Sequence, residues 1–209
     1  KVLVGKHLVE MEAPGYLNLR KKIQVTETNR TFSFTMRKRY YFGSHFYFGA
    51  YANTGLKDLS TGGYIGGYIR HFNIEAHCLY GPTSLAQIYW NSVQGLEMPL
   101  KCTYRPLTAG GRFGYGVTIG SRVRITPQIG VDYIRATSKE KKDYCTAMSV
   151  AGGIKTSVAV ASCFELMLIP QYSYPVYMSN MYKTLSEISP VIDSWSRGFS
   201  IKLGLGLFF

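Results

Sequence analysis

The sequence contains no run of eighteen or more apolar residues, so no helix long and apolar enough to cross a bilayer is expected. Its greasiest stretch, residues 146–170, is interrupted by Gly152, Gly153, Lys155 and Glu165 and alternates small with large side chains, which is the grammar of strands. Charge is scarce, at 17% against the usual quarter of a soluble domain, and the residues that fill helix surfaces are not abundant. The four cysteines, Cys78, Cys102, Cys145 and Cys163, lie far apart with no CxxC spacing, which argues against a zinc site or a redox motif. Free thiols, no metal and no cofactor are therefore expected. A Cys102–Cys145 bridge is not, because the two fall on strands that are not neighbours. No secretory leader is visible: Lys1 opens onto a strand-like run, as in a mature or trimmed chain.

What is present favours pleated surfaces. Aromatic residues make up 14% of the chain, with 17 Tyr beside 22 Gly. At 209 residues the length suits one domain with a small appendage. The formal charge of +12 is spread along strands and loops without a recognition-helix pattern, so phosphate-rich lipid headgroups fit it better than nucleic acid, and no nucleic-acid partner is expected.

The decisive signal is a period of two. Val123, Ile125, Pro127, Ile129, Val131 and Tyr133 fall on one side of a strand whose other side is Arg122, Arg124, Thr126, Gln128, Gly130 and Asp132. Phe72, Ile74, Ala76, Cys78 and Tyr80 oppose Asn73, Glu75, His77 and Leu79 in the same way, and Phe164, Leu166, Leu168, Pro170 and Tyr172 oppose Glu165, Met167, Ile169, Gln171 and Ser173. Strands are expected near 44–54, 61–70, 72–82, 101–119, 122–137, 144–157, 162–174 and 197–209. Short connections alternate with long ones, the layout of an eight-stranded antiparallel transmembrane barrel with both ends on the periplasmic side. The soluble rival is an up-and-down barrel that binds a small ligand with its apolar faces inside. Against it, the polar faces mix glycine with charges of both signs, as a narrow packed lumen would. There Arg112, Arg122, Arg124, Lys155 and Lys202 would pair with Glu75, Asp132 and Glu165. Tyr40, Tyr41, Tyr64, Tyr80, Tyr104, Tyr144, Tyr172, Tyr174 and Phe209 fall near strand ends, where an interfacial aromatic belt is expected.

The last strand, with Phe199, Ile201, Leu203, Leu205, Leu207 and Phe209 on one face, resembles the C-terminal signature that outer-membrane barrels present to their insertion machinery. With the hairpin layout, residues 40–209 resemble the small eight-stranded barrels of the outer-membrane protein A type, in the divergent form of Bacteroidetes-like bacteria. Residues 1–36 are different: GKHLVEMEAPGY, followed by strands near Lys22–Thr26 and Thr31–Met36, resembles the C-terminal part of a PEGA domain, a β-sandwich module of envelope proteins. The resemblance implies a partial periplasmic module joined to the barrel by a basic junction, Arg37, Lys38 and Arg39. A simple appended hairpin is the alternative.

Chemistry is sparse. Glu75 and His77 share a strand face and could form an acid/base pair, but no nucleophile joins them by motif, so a lumenal salt bridge and a satisfied interior histidine are expected. The loops are the better place for binding: Tyr89 and Trp90 in residues 83–100, and Tyr177, Tyr182 and Trp195 in residues 175–196, are candidates for a glycan or an envelope protein partner, with anchoring at the membrane interface the equal alternative. Lys139, Lys141 and Lys142 are expected on the outer rim, either to meet lipopolysaccharide phosphates or as a solvated turn. The sequence thus points to a non-enzymatic envelope anchor or assembly component in a Gram-negative outer membrane, in contact with its lipids. A lipid-modifying outer-membrane enzyme and a soluble ligand-binding barrel are the rivals.

Overall fold

A computed structural model describes residues 3–29, 31–41, 43–55, 59–81, 86–88, 102–138 and 144–209. An N-terminal hairpin joins β1 (Gly5–Met11) to β2 (Leu19–Val25). The barrel then runs through β3 (His45–Gly55), β4 (Leu59–Ile69), β5 (Phe72–Tyr80), β7 (Cys102–Tyr115), β9 (Val123–Ser138), β10 (Tyr144–Ala159), β11 (Phe164–Met178) and β12 (Gly198–Phe208). Two three-residue pieces accompany them: β6 (Ala86–Ile88) pairs with β7, and β8 (Val117–Ile119) continues β7 past Gly116 in the same register against β9. Before β12 stand two short helices, α1 (Asn180–Ile188) and α2 (Pro190–Ser196).

Every described barrel pairing is antiparallel. The order is β7-β5-β4-β3-β12-β11-β10-β9, and β9 pairs back onto β7, so the sheet closes on itself. Closure satisfies the edge hydrogen bonds that hydrocarbon could not. The seam between first and last strands runs from Gly55↔Ser200 to Tyr47↔Phe208 and is extended by mutual backbone bonds between Phe46 and Phe209. Both barrel ends therefore lie at one rim, together with the short turns at Arg70–His71 and Gly120–Ser121; we call it the terminal rim and the opposite one the loop rim. An 11-residue strand tilted as such barrels require spans roughly 25 Å, the height of a hydrocarbon core. β9, β10 and β11, at 16, 16 and 15 residues, run beyond it.

Alternation sorts the side chains as the register demands. Phe46, Ile65, Ile74, Phe113, Ile129, Ile154, Leu166 and Leu205 stand exposed on the outer wall. Arg112, Arg124, Asp132, Lys155, Glu165 and Lys202 are buried within the ring. A bulge between Met148 and Ser149 breaks the register of β10 with β11 and leaves Val176 and Tyr177 both exposed on the outside.

Two sequence expectations need correction. Tyr41, Tyr64 and Tyr104 do not join an outer belt; they are buried, and Tyr64 points into the lumen against Tyr51, ring centroids 4.0 Å apart. Inward parity, not nearness to a strand end, decides the side of Tyr64 and Tyr104, and Tyr41, which precedes β3, is turned inward to bond Glu165. Thr31–Met36 forms no strand: the segment is extended without a ladder, touching β-structure next through the single bridge Tyr16↔Lys38. Arg39 N donates to Gly15 O (2.7 Å) and Tyr40 N to Ser121 O (2.9 Å), which ties the N-terminal segment to a barrel turn.

Lumenal glycines make room for rings. A Cβ on Gly66 would lie 2.5 Å from Tyr47 Oη and 2.7 Å from Ile74 O, whereas one on outward-facing Gly63 would meet only Gly49 O at 3.5 Å. Gly66→Val should therefore lower stability by about 1–3 kcal/mol, read from urea unfolding in detergent micelles, with Gly63→Val close to neutral.

Candidate functional site: lumenal charge layers and a capped mouth

The charges that the strands turn inward sort into three layers. Near the terminal rim, Arg124 donates from Nη2 to Tyr41 O (3.2 Å) and from Nε to Thr118 Oγ1 (3.2 Å), with Nη1 3.3 Å from His45 Nε2. Its guanidinium lies 4.1 Å from the Tyr68 ring centroid and 4.9 Å from that of Tyr41. Tyr41 Oη donates to Glu165 Oε2 at 2.9 Å.

The middle layer is built round Glu75. Lys155 Nζ sits 2.7 Å from Glu75 Oε2, Tyr47 Oη donates to the same oxygen at 3.0 Å, and Tyr51 Oη donates to Oε1 at 2.8 Å. Lys155 is wholly buried and stands 3.8 Å over the Tyr47 ring. A buried cation needs this degree of pairing and hydrogen bonding to stay charged.

Towards the loop rim, Arg112 grips Asp132 through two parallel bonds, 2.7 Å to Oδ1 and 2.6 Å to Oδ2. His77 Nε2 is shared, 3.2 Å from Asp132 Oδ1 and 3.1 Å from Lys202 Nζ. As an N–H it donates to the carboxylate, and as a bare lone pair it accepts from the ammonium.

Among the described residues, four buried cations thus face three buried carboxylates in the lumen. Of the residues expected there, Arg122 is placed elsewhere: it is exposed at the terminal rim, its guanidinium 5.1 Å from the Tyr40 ring centroid, because its position precedes β9 at the turn. Arg124 has no carboxylate partner among the described residues and is held by a carbonyl, a hydroxyl, a histidine and two rings instead. Glu75 and His77 share a face but are committed to different partners, so the pair is not arranged as an acid/base couple.

The mouth at the loop rim holds the helices. Ser179 caps α1, its Oγ accepting from Tyr182 N at 3.3 Å, and Pro190 opens α2 at a position where its missing N–H costs nothing. Tyr182, Leu185 and Ile192 are fully buried against Tyr104, Ile134, Ala136, Cys145 and Ala147 on the inner faces of β7, β9 and β10. Tyr182 Oη donates to Ile192 O at 2.8 Å and ties the two helices together; burial pushes its phenol well above the ordinary value, so it stays a donor. Beneath the helices a void of about 50 Å³, lined by Asn53, Asp132, Trp195 and Lys202 among others, has space for a water or two.

This corrects the expected binding loop. Tyr182 is a core residue of the cap, Trp195 is half-buried against the same cluster, and Tyr177 is 55% exposed on the outer wall of β11. Tyr89 and Trp90, like Lys139, Lys141 and Lys142, lie outside the described residues. A helical signal was present in the apolar spacing of Met181, Tyr182, Leu185 and Ile188, then Val191, Ile192 and Trp195, preceded by Ser179 and divided by Pro190.

On the outer wall, Phe199, Leu203, Leu205 and Phe209 of the last strand are exposed, Ile201 and Leu207 are partly covered, and the Phe209 ring stacks on Phe48 at 6.0 Å. Comparison with solved structures finds the same closed antiparallel barrel. A major outer-membrane protein from Thermus thermophilus superposes with a TM-score of 0.54 at 9% identity, over 79% of this chain and 99% of that one. The chain has the fold of an outer-membrane β-barrel. Also matched are the N-terminal barrel domain of OprF from Pseudomonas aeruginosa (TM-score 0.46, 13% identity, 79% and 97% covered) and neisserial surface protein A (0.47, 12%, 79% and 94%). No protein-family model matches the chain, residues 1–36 included, and no curated protein sequence matches it.

Two outcomes follow for the barrel. Lys155→Met strands Glu75 in the lumen and should cost about 3–5 kcal/mol in detergent unfolding, with much of the loss recovered when Glu75→Gln is added. Leu185→Ala empties the cap and should cost about 2–5 kcal/mol, seen as faster amide exchange over residues 180–196 while β3 and β12 stay protected.

Proposed function

We propose that this chain is a non-enzymatic outer-membrane protein of a Gram-negative bacterium, whose barrel anchors the segment of residues 1–36 in the periplasm and presents the loop rim outside. The observation that carries this reading is the direction of the two faces. Leu205 is 52% exposed on the wall while Arg124 and Asp132 are 3% and 5% exposed inside, the reverse of what a soluble ligand-binding barrel requires. Exposed apolar area on that scale is unstable in water and is satisfied by hydrocarbon.

A structural role fits the interior better than catalysis. Glu75 is filled by Lys155, Tyr47 and Tyr51, and Asp132 by Arg112 and His77, so the acids are engaged in holding the lumen. The short turns at the terminal rim match the periplasmic side of such barrels, which favours a periplasmic position for the hairpin of β1 and β2 and for the basic junction of Arg37, Lys38 and Arg39. In this reading the last strand addresses the insertion machinery, the wall meets membrane lipids, and lipopolysaccharide and envelope protein partners are met at the loop rim and the N-terminal segment.

Fractionation tests the proposal. The full chain should stay with outer membranes after carbonate extraction and show different gel mobility before and after boiling. Release into the aqueous phase without detergent would overturn it. Protease added to intact cells should spare residues 1–36, and lipid A mass spectra should not change on deletion; an altered acylation pattern would favour the enzyme.

A further inference from the structure

The terminal rim carries a cavity of about 480 Å³ between the N-terminal segment and the barrel, a volume in the range of small-ligand sites. Three arginines line it. Arg39 comes from the segment, Arg70 from the β4–β5 turn and Arg124 from β9, beside His71 and Thr118, and none of the described lining residues is acidic. Like charges gathered round a concavity repel one another and focus a positive field into it, a cost that an anion would relieve.

The donors are not used up. Arg39 Nε is buried and has no hydrogen-bond partner among the described residues. Arg124 directs three of a guanidinium's five N–H groups to Tyr41 O, Thr118 Oγ1 and His45, has the Tyr68 side chain as a further hydrogen-bond partner, and forms no ion pair with Glu165, whose Oε2 is taken by Tyr41. His71 Nδ1 bonds Gly116 O at 3.0 Å, which fixes its ring at the edge of the cavity.

Arg70 supplies an independent observation. β4 and β5 pair as far as Ile69↔Phe72, so Arg70 and His71 are the two central residues of a tight hairpin, and Arg70 has φ of +59°. It is the sole described non-glycine residue with positive φ, at a place where such turns favour Gly, Asn or Asp. Backbone strain of this kind persists only where the surroundings hold it, and it clusters at functional sites.

The geometry points to an anion site at the terminal rim that takes a glycerophosphate group, gripped by Arg39, Arg70 and Arg124. Guanidinium forks match phosphate oxygens in pairs, and the volume exceeds what a lone phosphate needs. The neighbouring wall is greasy, with Val117 50% and Ile119 54% exposed, so a membrane headgroup reaches the cavity with its acyl chains along the barrel. A soluble glycerophosphate offers the same chemistry.

Two measurements on the full chain in nonionic micelles separate the sources: calorimetric titration with glycerol 3-phosphate, and native mass spectrometry with phosphatidylglycerol against phosphatidylcholine. Selective retention of phosphatidylglycerol alone assigns a lipid headgroup, and titration with the free ester assigns a soluble anion; either supports the site. Arg39→Gln or Arg70→Gln should weaken binding on the order of tenfold, while Arg122→Gln, outside the lining, should not. Arg70→Gly should raise the unfolding midpoint while weakening binding, which a purely structural arginine would not do. Absence of binding in both measurements, or binding unchanged in the Arg39→Gln/Arg70→Gln double variant, overturns the inference.

Discussion

Closure of the sheet is the constraint on which the rest depends. A strand in hydrocarbon must find a partner for each of its backbone groups, and eight antiparallel strands achieve this only when β9 returns to β7 and β12 to β3. Closing at eight fixes a narrow interior, and a narrow interior has to be filled. Glycine against tyrosine is the solution at Gly66 with Tyr47 and at Gly204 with Tyr51. Charge against charge is the solution at Lys155 with Glu75 and Arg112 with Asp132. Once charges occupy the lumen they cannot be left single, so each layer is bonded to its own ring of phenols, imidazole or carboxylate.

The same constraint explains what the sequence made legible. A closed barrel forces a strict period of two, so strand number, order and the inside position of Arg112, Arg124, Lys155 and Lys202 could be read from alternation alone. Tyr64 and Tyr104 were misassigned because closeness to a strand end was used where parity was the governing variable. Arg122 lies one residue before β9 begins, and there parity no longer binds a side chain to the lumen. The partner of Arg124 was illegible for another reason: a carbonyl of Tyr41, contributed by the segment before β3, leaves no side-chain signature in sequence.

The helical cap shows a different limit. Residues 180–196 carry helix spacing in two short pieces of nine and seven residues, split at Pro190, and helices this short draw their stability from packing and little from propensity. Their packing partners, Ile134, Ala136 and Ala147, lie on inward faces of distant strands. The aromatic residues that looked like exposed recognition groups were therefore the groups being buried.

The unequal strand lengths have a consequence for the shape of the mouth. β9 and β10 have 16 residues and β11 has 15, whereas β3, β4 and β12 have 11. At about 3.3 Å per residue, one side of the ring rises on the order of 10 Å above the other after allowing for tilt. The cap leans on the inner face of that parapet, so among the described residues the rim is lopsided: a stiff backrest on one flank and a low sill on the other.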